Sequence, residues 1–283
     1  VSREPAEFHK DPLSPRKLSS SEYYGVKDSS TTAADAEPNV AHIRDKAFYN
    51  CGDIKSVILP NNITEIGESA FEACSGLTSV EIGDRCESIG DKAFYNCTKL
   101  DSFNIKDGKY DATNLSFIGD CTFAGCEKLT NFTVPNKTNM TIGSGCFLNS
   151  GLNSIDFASY SSPNITLGCY VFANNTNLVE CVLENVGTIK EHKSNDDLAG
   201  CGIFTGCTNL SEVTFDNEYQ SELPYGTFAD CPYLYRIKFR NGNATFHKKQ
   251  ISTNPNKYET DFNGLNNNFH INGADEKASP LHN

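Results

Sequence analysis

The sequence predicts a right-handed solenoid of about eight coils, in which short parallel strands stack and turn or short-helix segments return the chain. Three observations predict this fold: a recurring phenylalanine, a segment of alternating apolar and polar residues after it, and a cysteine at a fixed distance from it. Successive phenylalanines are 23 to 32 residues apart. They are Phe48, Phe71, Phe94, Phe123, Phe147, Phe172, Phe204 and Phe228.

Other positions recur around each phenylalanine. An isoleucine or leucine stands five residues before most of them, usually followed by glycine, and a leucine or isoleucine stands six residues after most of them. Two neighbouring copies, 66–82 and 89–105, show the complete unit. The glycine predicts a tight turn, because it allows a backbone conformation or a close approach that a Cβ atom would obstruct. We assign Gly200 to this position in the coil of Phe204. The segment from the turn to the phenylalanine is expected to be a short helical or irregular return.

The segment after each leucine has the period of a half-buried strand. In Leu77-Thr-Ser-Val-Glu-Ile82 the alternation places Val80 and Ile82 inward and Ser79 and Glu81 outward. So short a strand cannot bury its apolar face alone, and stacking of successive coils closes the core.

This unit, Ile-Gly-x-x-Ala-Phe-x-x-Cys-x-x-Leu-x-x-Val-x-Ile, resembles the BspA-like subfamily of leucine-rich repeats over about residues 43–240. The resemblance implies a leucine-rich-repeat solenoid. The family is common on bacteria of the gut and mouth and in some mucosal protists, where adhesion is the usual proposal. The resemblance therefore implies a secreted or cell-surface module, without catalytic activity, that binds a host or microbial extracellular protein. A structural spacer and a glycan-capturing surface module are the alternatives.

The twelve cysteines allow two interpretations, a disulfide framework or small buried thiols. Six of them share one position three residues after the phenylalanine: Cys51, Cys74, Cys97, Cys126, Cys207 and Cys231. Ser150 and Asn175 take that position in two other coils and can hydrogen-bond the turn. Packing explains such a position, so we predict free, buried thiols there. Pairing of Cys169 with Cys181, or of Cys201 with Cys207, remains open.

The ends of the chain lose the period. Residues 1–40 are predicted to be a polar linker or cap, 41–240 the repeats, and 241–283 a degenerate cap and tail. Two long spacings place extra residues at Lys106–Phe117 and Glu184–Ala199. Both are assigned between a strand and the next turn, so the two loops are expected to lie on one side of the solenoid.

Charge and motifs exclude several functions. A formal net charge of -12 disfavours nucleic acid as a partner. No apolar run approaches the roughly 18 residues of a transmembrane helix, so we expect no membrane insertion. No motif of a hydrolase, nucleotide-binding or metalloprotease site occurs, and the histidines are dispersed. We therefore expect no enzyme activity, no cofactor and no metal, and a monomer.

The outward strand face is the candidate binding surface, because solenoids commonly bind there. Its first half is small and polar, and its second half changes from acidic to basic. The candidate ligand-binding residues are Glu180, Glu212, Thr214, Arg236, Lys238 and Arg240, and His247, Lys248 and Lys249 extend the basic end. An anionic partner is one interpretation of the basic patch, and charge pairing between the last two coils is the other.

Overall fold

The computed structural model describes residues 26–27, 42–106, 113–135, 139–157, 165–183, 186–190, 202–215, 222–224 and 226–239, and short strands at 245–246, 249–250, 258–259 and 270–272. No α-helix is found among these residues. In chain order the strands are β1 Val26–Lys27, β2 His42–Ile43, β3 Ser56–Ile58, β4 Glu65–Ile66, β5 Ser79–Ile82, β6 Ser88–Ile89, β7 Ser102–Ile105, β8 Phe117–Ile118, β9 Asn131–Val134, β10 Thr141–Ile142, β11 Ser154–Phe157, β12 Ile165–Leu167, β13 Glu180–Leu183, β14 Val186–Ile189, β15 Glu212–Phe215, β16 Glu222–Leu223, β17 Arg236–Phe239, β18 Thr245–Phe246, β19 Lys249–Gln250, β20 Tyr258–Glu259 and β21 His270–Asn272.

The strands form two faces of a parallel solenoid. The first face carries the longer strands, in three hydrogen-bonded groups: β3-β5-β7, β9-β11 and β13-β15-β17-β21. At one end β1 pairs antiparallel with β3, and at the other end β21 pairs parallel with β17. The second face is one sheet of seven parallel strands, from β2 to β14. Outside these faces β16 pairs parallel with β18, and β19 pairs antiparallel with β20.

The solenoid and its stacked parallel strands are confirmed. The second face corresponds to seven regular turns, close to the eight coils expected. Its two-residue strands end on the isoleucine that precedes the glycine, as at Ile66 and Ile89. The returns are therefore turns and very short strands, and the short-helix form of the return is not observed in the described part of the chain.

Backbone geometry explains why the returns are not helical. Residues two before and two after the phenylalanine adopt left-handed conformations in coil after coil, for example Lys92 (φ 55°) and Asn96 (φ 55°) on either side of Phe94. A right-handed helix requires negative φ throughout. Each return therefore bends twice within five residues, which brings the phenylalanine side chain to the core.

The eight phenylalanines form a continuous stack through the core. Neighbouring rings lie nearly parallel, with centroids 4.9 Å apart between Phe48 and Phe71 and 5.5 Å apart between Phe94 and Phe123. Phe103 and Phe132, from the first face, meet this stack edge-on. Because all these rings are buried, the stack provides a continuous apolar contact between successive coils.

The close stacking of successive coils depends on the glycine after each isoleucine. A Cβ atom placed on Gly90 would lie 2.7 Å from the backbone nitrogen of Glu68 in the preceding coil, and one on Gly67 would lie 2.6 Å from that of Asp45. Neither glycine has a positive φ. Glycine is therefore required at this position for the close approach of two coils, and not for a positive φ.

The second insertion was placed wrongly. Ile189 pairs with Leu167, and Lys190 N donates to Leu167 O at 2.8 Å, as Gly168 N donates to Ile142 O. Lys190, and not Gly200, therefore holds the glycine position of this coil. The extra residues follow β14, whereas those of the first insertion precede β8. The two insertions leave the coil at different points, and half of the first and most of the second lie outside the described residues.

Candidate interaction surface

The outward face of the first sheet has the alternation that the sequence predicts. Inward residues are buried, and the outward residues are half-buried or exposed with one exception. The outward residues are Ser56, Ile58, Ser79, Glu81, Ser102, Asn104, Asn131, Thr133, Ser154, Asp156, Glu180, Val182, Glu212, Thr214, Arg236 and Lys238. The exception is Thr214, which is only 3% exposed, so its predicted exposure is wrong. It lies between Val182 and Lys238 on the neighbouring strands, and the long side chain of Lys238 reaches past it to Glu212.

One acidic side chain on the candidate surface binds two basic ones. Arg236 Nη1 lies 3.1 Å from Glu212 Oε2, and Lys238 Nζ contacts Glu212 Oε1. The side chains of Arg236 and Lys238 are 38% and 35% exposed, and that of Glu212 is 15% exposed. The predicted charge pairing between the last two coils is therefore present. Both cations thus share one carboxylate, and the carboxylate of Glu180 lies one strand further away.

The other candidate residues lie apart from this contact or outside the described residues. Glu180 is exposed on β13, directly across from Glu212 on β15. Arg240, His247 and Lys248 lie outside the described residues, and Lys249 is described only in its backbone. The structure therefore brings Glu212, Arg236 and Lys238 into contact, with Glu180 one strand away.

Three surface residues beside this cluster were missed. Arg236 Cζ lies 5.2 Å from the centre of the Tyr235 ring. Tyr233, in the turn before the strand, is 64% exposed, and Val179 is exposed immediately before β13. The alternation pattern covers only strand positions. Val179, Ser211 and Tyr235 take equivalent places just before their strands, and this recurrence is the signal that could have found Val179 and Tyr235. Tyr233 lies in the turn and shares no such position.

The recurring cysteine position is a hydrogen-bond ladder. Cys97 Sγ donates to Phe71 O at 3.1 Å, and Cys126 Sγ donates to Phe94 O at 3.2 Å. The same bond joins Cys74 to Phe48, Cys207 to Phe172 and Cys231 to Phe204. Each of these five thiols thus satisfies a carbonyl of the preceding coil, in addition to packing. The sixth, Cys51, is only half-buried, so its predicted burial is wrong, and its Sγ contacts Tyr49 O instead.

Where cysteine is replaced, asparagine continues the ladder, and serine donates to that asparagine in the following coil. Asn175 Nδ2 donates to Phe147 O at 2.7 Å and to Phe172 O at 2.9 Å. Ser150 Oγ lies 2.7 Å from Asn175 Oδ1. The position therefore requires a short side chain that carries a hydrogen-bond donor, and this explains which residue types occupy it.

Cys181 is a free thiol, and Cys169 Sγ donates to Lys190 O at 3.1 Å, so the structure does not support a bridge between these two. Cys201 lies outside the described residues. Burial raises the pKa of Cys207 to about 12, and burial likewise raises the pKa of Cys126. These thiols are therefore neutral near pH 7, which makes them donors and poor nucleophiles.

Thiol titration tests this ladder. When the chain is unfolded without reductant and reacted with a thiol reagent, we expect at least six free cysteines. In the native chain the buried thiols should react slowly, because they are both covered and protonated. Recovery of no free thiols after unfolding would contradict the ladder, because it would mean that the shared position is used for disulfides.

Carboxylates near the turns have a structural role. Asp91 Oδ1 accepts a hydrogen bond from Asp120 N at 2.8 Å, and Asp120 Oδ1 accepts one from Ser144 N at 2.6 Å. Within the described ranges, no group of three potential metal ligands is found. The same residues contain no helix long and apolar enough to cross a membrane.

Stacked coils of this repeat, with a strand face outside and a phenylalanine stack inside, define a leucine-rich-repeat type of solenoid. The model of the BspA-type leucine-rich repeat region matches residues 17–113, 109–196 and 197–268, with six copies. The chain belongs to this family. No protein of curated function is similar enough in sequence to be matched.

Solved structures of leucine-rich repeat proteins are similar to this chain. A T. pallidum protein is 23% identical, with 72% of this chain and 67% of that chain covered and a TM-score of 0.39. A Bacteroides ovatus protein is 20% identical, with 77% and 59% covered and a TM-score of 0.48, so this chain spans about three fifths of its length. The pneumococcal vaccine antigen PcpA is 17% identical, with 82% and 76% covered and a TM-score of 0.43.

Proposed function

We propose that this chain is a secreted or cell-surface module that binds an extracellular protein of a host or of another microbe. Membership of the BspA-type family supports a surface or protein-interaction role, and proteins of this family and fold are generally not enzymes. The observation that carries the proposal is the outward face of the first sheet. That face presents polar and charged side chains at regular spacing, and on β17, one strand from its described edge β21, two partly exposed cations share the carboxylate of Glu212 on β15.

The geometry of this face suits a protein partner. Neighbouring parallel strands lie about 4.8 Å apart, so β13, β15 and β17 display Glu180, Glu212 and Arg236 in one straight row. Because the stacked coils are tied together by the core, the row is held in place before a partner arrives. A preformed surface loses little conformational entropy on binding.

Charge suggests how the partner is selected. The protein carries a net charge of -12, so most anionic macromolecules are repelled at long range. A partner that docks on Arg236 and Lys238 must therefore present its acidic groups at the point of contact with these two side chains. The same argument disfavours nucleic acid, whose backbone charge extends well beyond so small a cluster.

Neutralisation of the basic end tests the proposal. We change Arg236, Lys238 and Arg240 to glutamine together, and measure binding of the chain to an array of host matrix and microbial surface proteins. The unchanged chain should bind saturably to a member of the array and less tightly in high salt. The variant should lose about fivefold or more of that affinity, because exposed ion pairs contribute up to ~1 kcal/mol each.

Two controls make the result specific. Glu212→Gln is added to a second version of the variant, because Glu212 would otherwise lose both of its cations. Thr141→Gln and Thr166→Gln place the same side chain on the second sheet and should leave binding unchanged. A passive spacer would bind nothing in the array, and equal loss from both faces would refute the assignment of the first face.

A further inference from the structure

We propose that the site formed by Arg236, Lys238, Tyr233 and Val179 binds an acidic peptide segment of the partner in which an apolar side chain stands beside a carboxylate. This inference rests on the proposed function and adds the chemistry of the recognised segment. It depends on residues that the alternation of the strands did not single out. Two features of the surface carry it, the exposed donors of the two cations and the exposed apolar side chains beside them.

The exposed donors of the two cations leave room for a second carboxylate. Glu212 contacts both Arg236 and Lys238, and the two basic side chains remain more than one third exposed. Arg236 uses Nη1 for Glu212, and a guanidinium group carries five N–H donors. A carboxylate from the partner can therefore bind the solvent side of the pair without displacing Glu212.

The apolar part of the site flanks the charged part. Tyr233 is exposed in the turn that leads into β17, and Val179 is exposed at the start of β13, two strands away. Tyrosine and arginine are enriched among residues that dominate protein interfaces, where their contacts are partly shielded from water. A leucine or similar side chain next to the partner's carboxylate would bury against Tyr233 or Val179.

The exposed aliphatic side chain of Val179 favours a peptide over an acidic glycan, because it offers no ring on which a sugar can stack. The guanidinium of Arg236 lies 5.2 Å from the centre of the Tyr235 ring. This stacking holds Arg236 in place, which prepares it for a carboxylate. Tyr235 therefore acts as a positioning residue for Arg236, and Tyr233 is the residue expected to contact the partner.

Fluorescent peptides test the site on the whole chain. The probe is a short peptide with two glutamates flanking a leucine, and its matched control has glutamines in their place. Fluorescence anisotropy should show about fivefold tighter binding of the acidic peptide, and this difference should shrink in high salt. A sulfated oligosaccharide serves as the glycan arm.

Variants identify the residues that bind. Tyr233→Ser should weaken binding of the acidic peptide at least twofold, whereas Tyr49→Ser, at a tyrosine of similar size that is 49% exposed in the first coil, should not. Both are surface changes, so folding should be unaffected. Arg236→Gln should remove the preference for glutamate over glutamine.

Several results would overturn the inference: no binding of the acidic peptide, equal binding of its glutamine control, or an equal effect of Tyr49→Ser. Binding of the oligosaccharide in place of the peptide would assign the site to a glycan and would also overturn it. These failures are distinct from failure of the proposed function. A partner in the protein array that still requires the basic end of the first face would uphold that function while this site's chemistry is rejected.

Discussion

Replacing Phe94 with alanine should lower the free energy of unfolding by about 3–5 kcal/mol. Phe94 is fully buried, and its ring stacks on Phe71 at 5.3 Å and on Phe123 at 5.5 Å. Phe103 meets the same ring edge-on at 5.7 Å. Truncation therefore opens a cavity in the middle of the stack, where backbone hydrogen bonds on both sides prevent collapse. Denaturant unfolding followed by circular dichroism measures the change.

A matched change at the surface provides the reference for this measurement. Tyr49→Ala removes a ring of similar size from a side chain that is 49% exposed, and it should change stability by no more than about 0.5 kcal/mol. If Phe94→Ala proved as mild as Tyr49→Ala, the assignment of the phenylalanines to the core stack would be wrong.

Gly119→Ala should destabilise the chain by about 1–3 kcal/mol, although it adds a single methyl group. A Cβ atom on Gly119 would lie 2.5 Å from the backbone nitrogen of Asp91 and 2.7 Å from the carbonyl carbon of Gly90. Because these atoms belong to the neighbouring coil, relief requires the two coils to separate. The bond from Gly119 N to Ile89 O, 2.8 Å long, would be strained as they do so.

The control for this change is Gly52→Ala. A Cβ atom at Gly52 would meet only the hydroxyl of Ser75, at 3.1 Å, and a side-chain hydroxyl can rotate away. Thermal unfolding should therefore show a clear drop in melting temperature for Gly119→Ala and a small change for Gly52→Ala. Equal effects would mean that the glycine is not required for close stacking of the coils.

The repeat made the longer strands and the core predictable. An apolar residue at every second position, as in Val80 and Ile82, determines which side of a strand is buried. The second sheet was not predicted, because five of its seven strands are only two residues long and too short to show a period. The left-handed residues were not predicted either, since types as different as Lys92, Cys121 and Tyr170 hold the same place.

The candidate surface was predictable only in part. The sequence placed Glu212, Arg236 and Lys238 on one face, but whether they pair depends on side-chain geometry across strands. Thr214 is buried because of its neighbours on the adjacent strands, which is also a property of the assembled sheet. For the cysteines, the spacing identified the position but could not show that the thiol bonds to a phenylalanine carbonyl of the preceding coil.

The most direct test of the account is the comparison of the two faces in the protein-binding array. Glutamine at Arg236, Lys238 and Arg240 changes the first face, and glutamine at Thr141 and Thr166 changes the second. The account predicts saturable binding by the unchanged chain, lost about fivefold or more in the first variant and retained in the second. Binding that survives in the first variant and disappears in the second would contradict it.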